Sequence, residues 1–302
     1  MPFLTVLPVS MPPRKPLPRR VLKIIGLLTI AAALQACSAV KLAYNQAPEL
    51  AYWYLDGYVD LSSAQTLQVK ESLARLHTWH RQTQLPAYAD LLQKLQQQMP
   101  GEIAAPEACT VFAEIRRKLT VTVSHTEPDL AALASTLSPA QLLHLERKFA
   151  KGDAEYKNDF IDPTAKALRS KRYKQALGRA ETLYGRLNDA QKTLIGERID
   201  QSRFDASTAF AERQRRQQDT LQSLRKLQTA LPAAQAVPVI SSLLERAQNS
   251  PSPGYRAYVE DITQDSCAAF AEFHATATAA QRQHAAGVVG AYAKDMRVLA
   301  GL

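Results

Sequence analysis

The sequence predicts an all-α protein, and three observations indicate this fold class. Glycine is scarce, at 11 of 302 residues, and the body is rich in residues that lose little entropy in helices, such as Ala, Leu, Gln and Glu. Apolar residues recur at steps of three and four along most of the chain. The one β-like run, 119–123, has no partner strand, so we interpret it as helical. We therefore expect an irregular multi-helix bundle.

The first element along the chain is a lipoprotein signal peptide. A leader with five basic residues precedes a short apolar core, 24–33, and the lipobox Leu34-Gln35-Ala36-Cys37. A charged start, an apolar core too short to span a bilayer and small residues before the cut are typical of a secretory signal. We expect Cys37 to be acylated and to become the mature N-terminus. The alternative is an N-terminal transmembrane helix with an incidental cysteine.

Cleavage divides the chain into three expected regions: the signal peptide 1–36, a lipid-anchored segment with an aromatic helix at 37–60, and a helical domain at 61–302. The mature chain has 266 residues, enough for one large core or two closely packed ones. All five basic residues of the leader leave with it and no acidic residue does, so the formal charge falls from +9 to +4. This small surplus argues against nucleic acid as a partner.

The aromatic helix contains four candidate partner-binding residues, Tyr52, Trp53, Tyr54 and Tyr58. Tyr and Trp suit a setting that is half wet and half apolar, such as a membrane interface or a partner's groove. The alternative is that these rings pack as a first helix onto the bundle. Asp56 and Asp60 lie four residues apart, and we expect a cap or a salt bridge there rather than acid–base chemistry.

Four helices are predicted to begin at a recurring capping box. A short polar residue stands three places before a glutamine in each of the segments 62–65, 138–141, 188–191 and 278–281. The first side chain accepts from the backbone N–H of the glutamine, whose side chain reaches back to the cap. The spacings between the boxes are unequal, so we interpret them as four similar helix starts and not as a solenoid repeat.

Proline and apolar periodicity delimit the other helices. Pro86 is expected to kink or restart the helix that follows the first box. Further helices are predicted from about Pro106, over 189–231 as one or two long polar helices, and over 255–274 and 279–299.

Two cysteines remain after Cys37. In an oxidising compartment, leftover cysteines commonly pair, so we expect a disulfide between Cys109 and Cys267. Two buried free thiols, or a metal pair with histidines, are the alternatives. No CxxC motif is present, which argues against thiol-redox catalysis.

Few residues indicate chemistry. His77 and His80 share a helical face at a spacing compatible with a metal, but no third ligand lies nearby, and we interpret them as structural. The basic runs 166–174 and 213–216 are either solvated helix faces or patches for anionic headgroups. We find no catalytic or nucleotide-binding motif, and we expect no catalytic residues, no metal site and no cofactor.

Several motifs resemble a known family. They are the lipobox, Leu42-Ala-Tyr-Asn45, Trp53-Tyr-Leu-Asp-Gly-Tyr58, Trp79-His-Arg81, Leu137-Ser-Pro-Ala-Gln141 and Tyr184-Gly-Arg-Leu-Asn-Asp-Ala-Gln191. Together they resemble a proteobacterial lipoprotein family known only as a domain of unknown function. The resemblance covers essentially the whole mature chain. It implies an all-helical exported lipoprotein, supports the pairing of Cys109 with Cys267, and implies no activity.

A second similarity links Leu137-Ser-Pro-Ala-Gln141 to the Leu-Thr-x-x-Gln repeats of small periplasmic stress chaperones. Ser38 is not the Asp that marks inner-membrane retention in many Gram-negative lipoproteins, so we expect the periplasmic face of the outer membrane. The expected function is a non-catalytic scaffold or binding module, held to the membrane by the lipid on Cys37 and contacting an envelope protein. An envelope chaperone or stress sensor, and a hydrolase around Asp56, Asp60, His77 and His80, are the other hypotheses.

Overall fold

The computed structural model describes residues 40–228 and 233–302, and this part of the chain is all-α. The signal peptide and Cys37 lie outside the described residues. Residues 40–45 are helical, and twelve α-helices follow. They are α1 (Ala47–Val59), α2 (Ser63–Trp79), α3 (Leu85–Gln98), α4 (Ala105–His125), α5 (Glu127–Ala134), α6 (Pro139–Tyr156), α7 (Ala165–Tyr184), α8 (Asp189–Gln201), α9 (Ala206–Gln228), α10 (Ala233–Gln248), α11 (Pro253–Ala275) and α12 (Ala279–Ala300). The expected multi-helix bundle is confirmed, and the run 119–123 lies inside α4.

All four predicted capping boxes are present, at the starts of α2, α6, α8 and α12. At the second box, the Ser138 hydroxyl accepts from the Gln141 N–H at 3.2 Å, and the Gln141 Oε1 accepts from the Ser138 N–H at 2.9 Å. Two N–H groups that lack intrahelical partners are thereby satisfied.

Pro86 restarts its helix, as predicted, and it does so through a π-helical turn at His80–Gln84. In this turn, the Leu85 N–H donates to the carbonyl of His80, five residues back. A proline has no N–H to donate, and its ring clashes with the carbonyl four residues earlier, so a locally wider turn relieves the contact. The chain therefore continues from α2 into α3 without a loop.

Within the predicted segment 189–231, the described residues 189–228 form two helices, of which α8 ends at Gln201 and α9 begins at Ala206. The Asp205 carboxylate accepts from the N–H groups of Ser207 and Thr208, at 3.1 and 3.0 Å. This side chain satisfies the first free donors of α9, and it therefore sets the start of that helix.

The buried side chains form two separate cores. The first core includes Val69, Leu133 and Leu224, and the second includes Ile195, Phe273 and Val289. The first core draws on α1, α2, α5, α6, α9 and α10, and the second on the remaining helices. Tyr52, Leu55 and Tyr58 of α1 pack against the first core, so the aromatic helix is part of the bundle.

The helix order of the first half repeats in the second half. Three helix pairs follow one another in each: α1–α2, α3–α4 and α5–α6, then α7–α8, α9–α10 and α11–α12. The middle pairs are exchanged, because α3 packs on α12 and α4 on α11, whereas α9 packs on α6 and α10 on α5. Each core is therefore built from two helix pairs of one half and the middle pair of the other.

The four capping-box glutamines join the outer pairs of each half. The amides of Gln65 and Gln141 exchange two hydrogen bonds, at 2.7 and 3.3 Å. Gln191 and Gln281 do the same, at 2.8 and 3.0 Å. Each amide also donates to the backbone carbonyl two residues before the facing box, namely Thr136 from Gln65, Asp60 from Gln141, Thr276 from Gln191 and Arg186 from Gln281. The boxes are thus two matched pairs, which the unequal spacings do not reveal.

The Cys109–Cys267 disulfide of the second core has a counterpart in the first core. The structure joins the two cysteines, on α4 and α11, with Cα atoms 5.3 Å apart. On the corresponding helices α10 and α5, the Ser241 hydroxyl donates to the Glu127 carboxylate. Pro106 and Pro238 each stand three residues before these positions, at Cys109 and Ser241. The same packing position therefore holds a covalent bond in the second core and a hydrogen bond in the first.

Candidate functional site

An apolar cavity of about 530 Å³ opens between α7, α8 and α11. Its interior is lined by aliphatic and aromatic side chains, among them Leu183, Leu194, Ile199, Ile262, Phe270 and Phe273. Phe112 of α4 stands in the same lining and is 37 % exposed. A volume between about 300 and 1,000 Å³ with a mostly apolar lining is typical of small-molecule sites.

The residues on one face of α7 explain why the cavity is open. Arg172, Ala176, Arg179, Ala180 and Leu183 all line the cavity, and steps of three and four place them on one face of the helix. The two alanines leave room between α7 and α11, and the two arginines on the same face bring positive charge to the wall.

The guanidinium of Arg172 is half-buried in this wall. It donates to the Ser202 hydroxyl at 2.8 Å and lies over the Phe204 ring, 4.7 Å from its centroid. Burial lowers its pKa, because an apolar setting disfavours the charged form. Within residues 40–228 and 233–302, no carboxylate forms an ion pair with it.

Two further arginines line the cavity. Arg179 is exposed, and none of the described side chains forms a hydrogen bond or ion pair with it. Arg198 is neutralised by Glu272, whose Oε2 accepts from its Nε at 2.6 Å. The site thus holds two guanidinium groups that have no carboxylate partner in the described structure.

The nearby acidic groups are already engaged. Asp265 lines the cavity and accepts from the Arg203 N–H at 3.4 Å. The Asp200 carboxylate is held by the guanidinium of Arg169, which donates to its Oδ2 at 2.6 Å and lowers its pKa. Asp200 also attracts Arg172 electrostatically, but the two form no ion pair in the described structure. Arg172 and Arg179 can therefore still bind an anion in the cavity.

The matching place in the first half is nearly closed. It lies between α2 and α5, and its volume is about 80 Å³. Ser72 stands where α8 has Arg198, and Asp129 where α11 has Ala269, as counted from the box glutamines. The Ser72 hydroxyl and Arg75 both donate to the Asp129 Oδ1 at 2.8 Å, so a polar cluster stands beside this smaller cavity.

The aromatic residues of α1 divide between two faces. Tyr52 and Tyr58 pack against the first core, with Lys70 4.3 Å from the Tyr52 ring centroid. Trp53 and Tyr54 point outward and are 69 % and 70 % exposed. The helix therefore supports the packing interpretation for two of the four predicted residues and leaves the other two free for a partner.

The outward face of α1 continues beyond its aromatic pair. Leu50, Trp53, Tyr54 and Gly57 follow one another at helical spacing, and Leu50 is 60 % exposed. A shallow groove beside them is lined by Lys148 and Lys151 of α6, together with Trp53, Tyr54 and Gly57. This surface combines exposed apolar rings with lysines.

The helical residues 40–45 are fixed to the body. The Lys41 Nζ lies 3.3 Å from the Oδ1 of Asp295, a buried carboxylate of α12. The Tyr44 hydroxyl and the Nδ1 of His80 share a hydrogen bond at 2.9 Å, and the His77 Nε2 donates to the Tyr44 carbonyl at 3.1 Å. The chain just after Cys37 is thus docked onto α2 and α12.

These contacts explain the two predicted structural histidines. Burial lowers the pKa of both His77 and His80, and nearby positive charge, from Arg81 and from His77 respectively, lowers it further. In residues 40–228 and 233–302, no group of three His, Cys, Asp or Glu side chains is arranged to hold a metal ion.

Asp56 and Asp60 serve the end of α1. The Asp56 Oδ1 accepts from the Leu61 N–H at 3.0 Å, and Asp60 takes a left-handed conformation with φ 59°. The predicted cap is thus observed. These residues precede α2, whereas His77 lies about 21 Å along the helix axis from the start of α2 at Ser63, and His80 lies just beyond the end of that helix. The four residues do not form a shared site.

The second core contains a buried polar chain that sequence analysis missed. The Tyr184 hydroxyl donates to the Nδ1 of His274 at 2.8 Å, and the His274 Nε2 donates to the carbonyl of Gly101 at 2.9 Å. Burial lowers the pKa of His274 and raises that of Tyr184. Both groups are held neutral, and they tie α7 and α11 to the end of α3.

The two basic runs have different surroundings. In the run 213–216, Arg213 pairs with Asp153 at 2.8 Å, and Arg215 and Arg216 share the buried Glu212. This run therefore links helices and is not a free cationic patch. The run 166–174 contains Arg172, whereas sequence analysis singled out neither Arg179 nor Arg198. The pattern that could have identified Arg179 and Arg198 is an arginine among apolar residues on one face of a helix.

No helix in the described parts of the chain is both long and apolar enough to cross a membrane. The chain has no significant match among curated proteins or solved structures. A family model does match it, over residues 57–256, from the end of α1 to the start of α11. The chain accordingly belongs to the family of unknown function DUF6279.

Proposed function

We propose that the protein is a non-catalytic binding module, anchored by a lipid on Cys37 to the periplasmic face of the outer membrane. The observation that carries this proposal is the docking of residues 40–45 onto the body through Lys41 and Tyr44. Three residues span at most about 10 Å, so a lipid on Cys37 would hold the body directly against the bilayer.

The outward face of α1 is suited to contact with the membrane surface. Trp53 and Tyr54 are exposed on the helix that follows the docked segment, and aromatic rings with an apolar body and a polar tip favour the headgroup region. Lys148 beside them supplies charge for anionic headgroups, whereas Lys151 in the same groove pairs with Glu155 at 3.9 Å. We infer that α1 lies on the membrane surface, while the cavity between α7, α8 and α11 serves as the binding site.

The two tryptophans of the chain allow a direct test. Lipidated protein is placed in phosphatidylcholine vesicles that contain brominated acyl chains, which quench nearby indoles. The Trp79→Phe variant leaves Trp53 as the single reporter, and the matched Trp53→Phe variant leaves Trp79, which is stacked on His125 at 3.7 Å. We expect strong quenching of Trp53 and weak quenching of Trp79.

The same sample tests the anchor itself. Mass spectrometry of the N-terminal peptide is expected to find diacylglycerol on the Cys37 sulfur. An intact leader with a bare thiol would overturn the anchor. Equal, weak quenching of both tryptophans in a lipidated sample would overturn the membrane-facing α1 alone.

The role as a binding module has a separate test. Crosslinking in the envelope followed by affinity capture is expected to return one reproducible protein partner. The similarity to stress chaperones makes client binding the rival hypothesis, although the box glutamines are consumed in pairing within the bundle. Suppression of a model client's aggregation at near-stoichiometric amounts would favour the chaperone over the scaffold.

A further inference from the structure

We propose that the cavity between α7, α8 and α11 binds a single-chain anionic amphiphile, with its tail among the apolar side chains and its carboxylate or phosphate at Arg172 and Arg179. The inference rests on the proposed function only in treating the protein as a binding module, and it does not require the lipid on Cys37.

The lining fits one apolar chain. Leu194 and Ile199 of α8 face Phe270 and Phe273 of α11 across the cavity, and apolar surface buried there contributes about 25 cal/mol per Å². A volume of about 530 Å³ is ample for one flexible chain and its headgroup.

The charge at the wall fits an anion. Arg172 is half-buried and has no carboxylate partner among the described residues, and a buried charge is costly unless it is paired. Arg179, seven residues on and on the same face, is also unpaired in the described structure. A planar guanidinium binds carboxylate and phosphate through paired N–H donors. Ser202 accepts from one N–H group of Arg172, and an anionic headgroup would accept from the others.

The internal repeat provides an independent argument. The first half has the same helices around the matching place, yet only about 80 Å³ is open there, and Ser72 and Asp129 line it. An open cavity is therefore not a consequence of the architecture. The second half differs by small residues on α7 and by Ala269 where the first half has Asp129, changes that create room.

The test uses full-length protein as purified, in phosphatidylcholine nanodiscs if it is lipidated. The probes are dodecyl chains with a diazirine in the tail and a phosphate or a carboxylate as headgroup. Photocrosslinks are mapped by peptide mass spectrometry, which also reports the state of Cys37. We expect crosslinks on peptides of α7, α8 and α11, and competition by unlabelled dodecyl phosphate or laurate but not by dodecyl maltoside.

Three variants and one control variant distinguish the contribution of the anionic headgroup from that of the apolar tail. Arg172→Gln is expected to weaken competition by dodecyl phosphate roughly tenfold, since a charge-assisted hydrogen bond is lost. Arg179→Gln, at an exposed position that leaves folding intact, is expected to weaken it roughly threefold. Arg147→Gln on α6, an exposed arginine away from the cavity, is the matched control and is expected to change nothing. Ala180→Trp fills the cavity and is expected to abolish crosslinking there.

The outcomes discriminate between sources of the anion. Preference for the phosphate probe points to a lysophospholipid headgroup, and preference for the carboxylate probe points to a fatty acid; either supports the proposal. Crosslinks confined to α1, equal competition by dodecyl maltoside, or unchanged binding in both Arg172→Gln and Arg179→Gln would overturn it. A bare Cys37 thiol with cavity crosslinks intact would contradict the proposed anchor and leave this inference standing.

Discussion

At the scale of single residues, the capping-box glutamines do two tasks. Gln141 closes its own helix start through the Ser138 N–H, and it also bonds the Gln65 amide and the Asp60 carbonyl. Both glutamines are buried. A buried amide without partners costs free energy, so one side chain couples the local helix start to the packing of two distant segments.

A double-mutant cycle measures this coupling. Gln65→Ala and Gln141→Ala are each expected to lower the free energy of unfolding by about 2–3 kcal/mol, because each leaves buried donors and acceptors unsatisfied. Together they are expected to cost less than their sum, by about 1–2 kcal/mol. Denaturant unfolding provides the measurement. The control pairs Gln65→Ala with Gln191→Ala from the other core, where the costs should add; a strictly additive Gln65/Gln141 pair would refute the coupling.

His274 is expected to make stability depend on pH. Its pKa in the folded protein lies below the unfolded value of about 6.5 because it is buried. The unfolded state therefore binds the proton first, and stability present above about pH 6.5 is lost as the pH falls towards the lowered pKa. His274→Gln is expected to flatten this fall while lowering stability at pH 7.5 by about 2 kcal/mol.

Thermal unfolding between pH 4.5 and 7.5 gives the comparison for His274. The matched control is His284→Gln, at an exposed histidine on α12. An identical pH slope in the wild type and in His274→Gln would show that another group is responsible.

At the scale of helices, equivalent elements pack in the same way with different chemistry. α4 on α11 is held by a disulfide, and α10 on α5 by the hydrogen bond from Ser241 to Glu127. Pro106 and Pro238 stand three residues before Cys109 and Ser241. The arrangement of helices is therefore shared by the two halves, while the side chains at a given position differ.

This equivalence predicts a second disulfide. The double variant Glu127→Cys/Ser241→Cys is expected to form a cystine between α5 and α10, because its positions match those of Cys109 and Cys267. A closed loop of this length would raise the free energy of unfolding by up to about 4–5 kcal/mol. Non-reducing peptide mapping is the measurement. If both new thiols are alkylated in the oxidised native protein, the two packing positions are not equivalent.

At the scale of the whole molecule, the exchanged middle pairs make the two cores interdependent. The first core needs α9 and α10 from the second half, and the second core needs α3 and α4 from the first. Neither core is formed by a continuous stretch of chain, so neither is expected to unfold alone.

Removal of the native disulfide tests this interdependence. Cys109→Ser/Cys267→Ser opens a loop between residues 158 positions apart and is expected to cost up to about 5 kcal/mol. Tryptophan fluorescence reports on Trp53 and Trp79, which lie in α1 and α2 of the first half. In unfolding by guanidinium chloride, we expect the midpoint of the tryptophan fluorescence transition to fall together with the midpoint of the far-UV circular dichroism transition. A tryptophan transition that stays in place while helix content is lost would show independent cores.

Sequence analysis predicted the helical class, the four capping boxes, the restart at Pro86 and the pairing of Cys109 with Cys267, because helix starts, proline effects and leftover cysteines depend on local chemistry. The folded arrangement was needed to show that the boxes form two pairs, that the middle helix pairs are exchanged, and that Arg172 and Arg179 meet at one cavity. Those features depend on contacts between residues far apart in the chain. Periodicity shows which face of a helix is apolar, but it does not show which helix that face will meet.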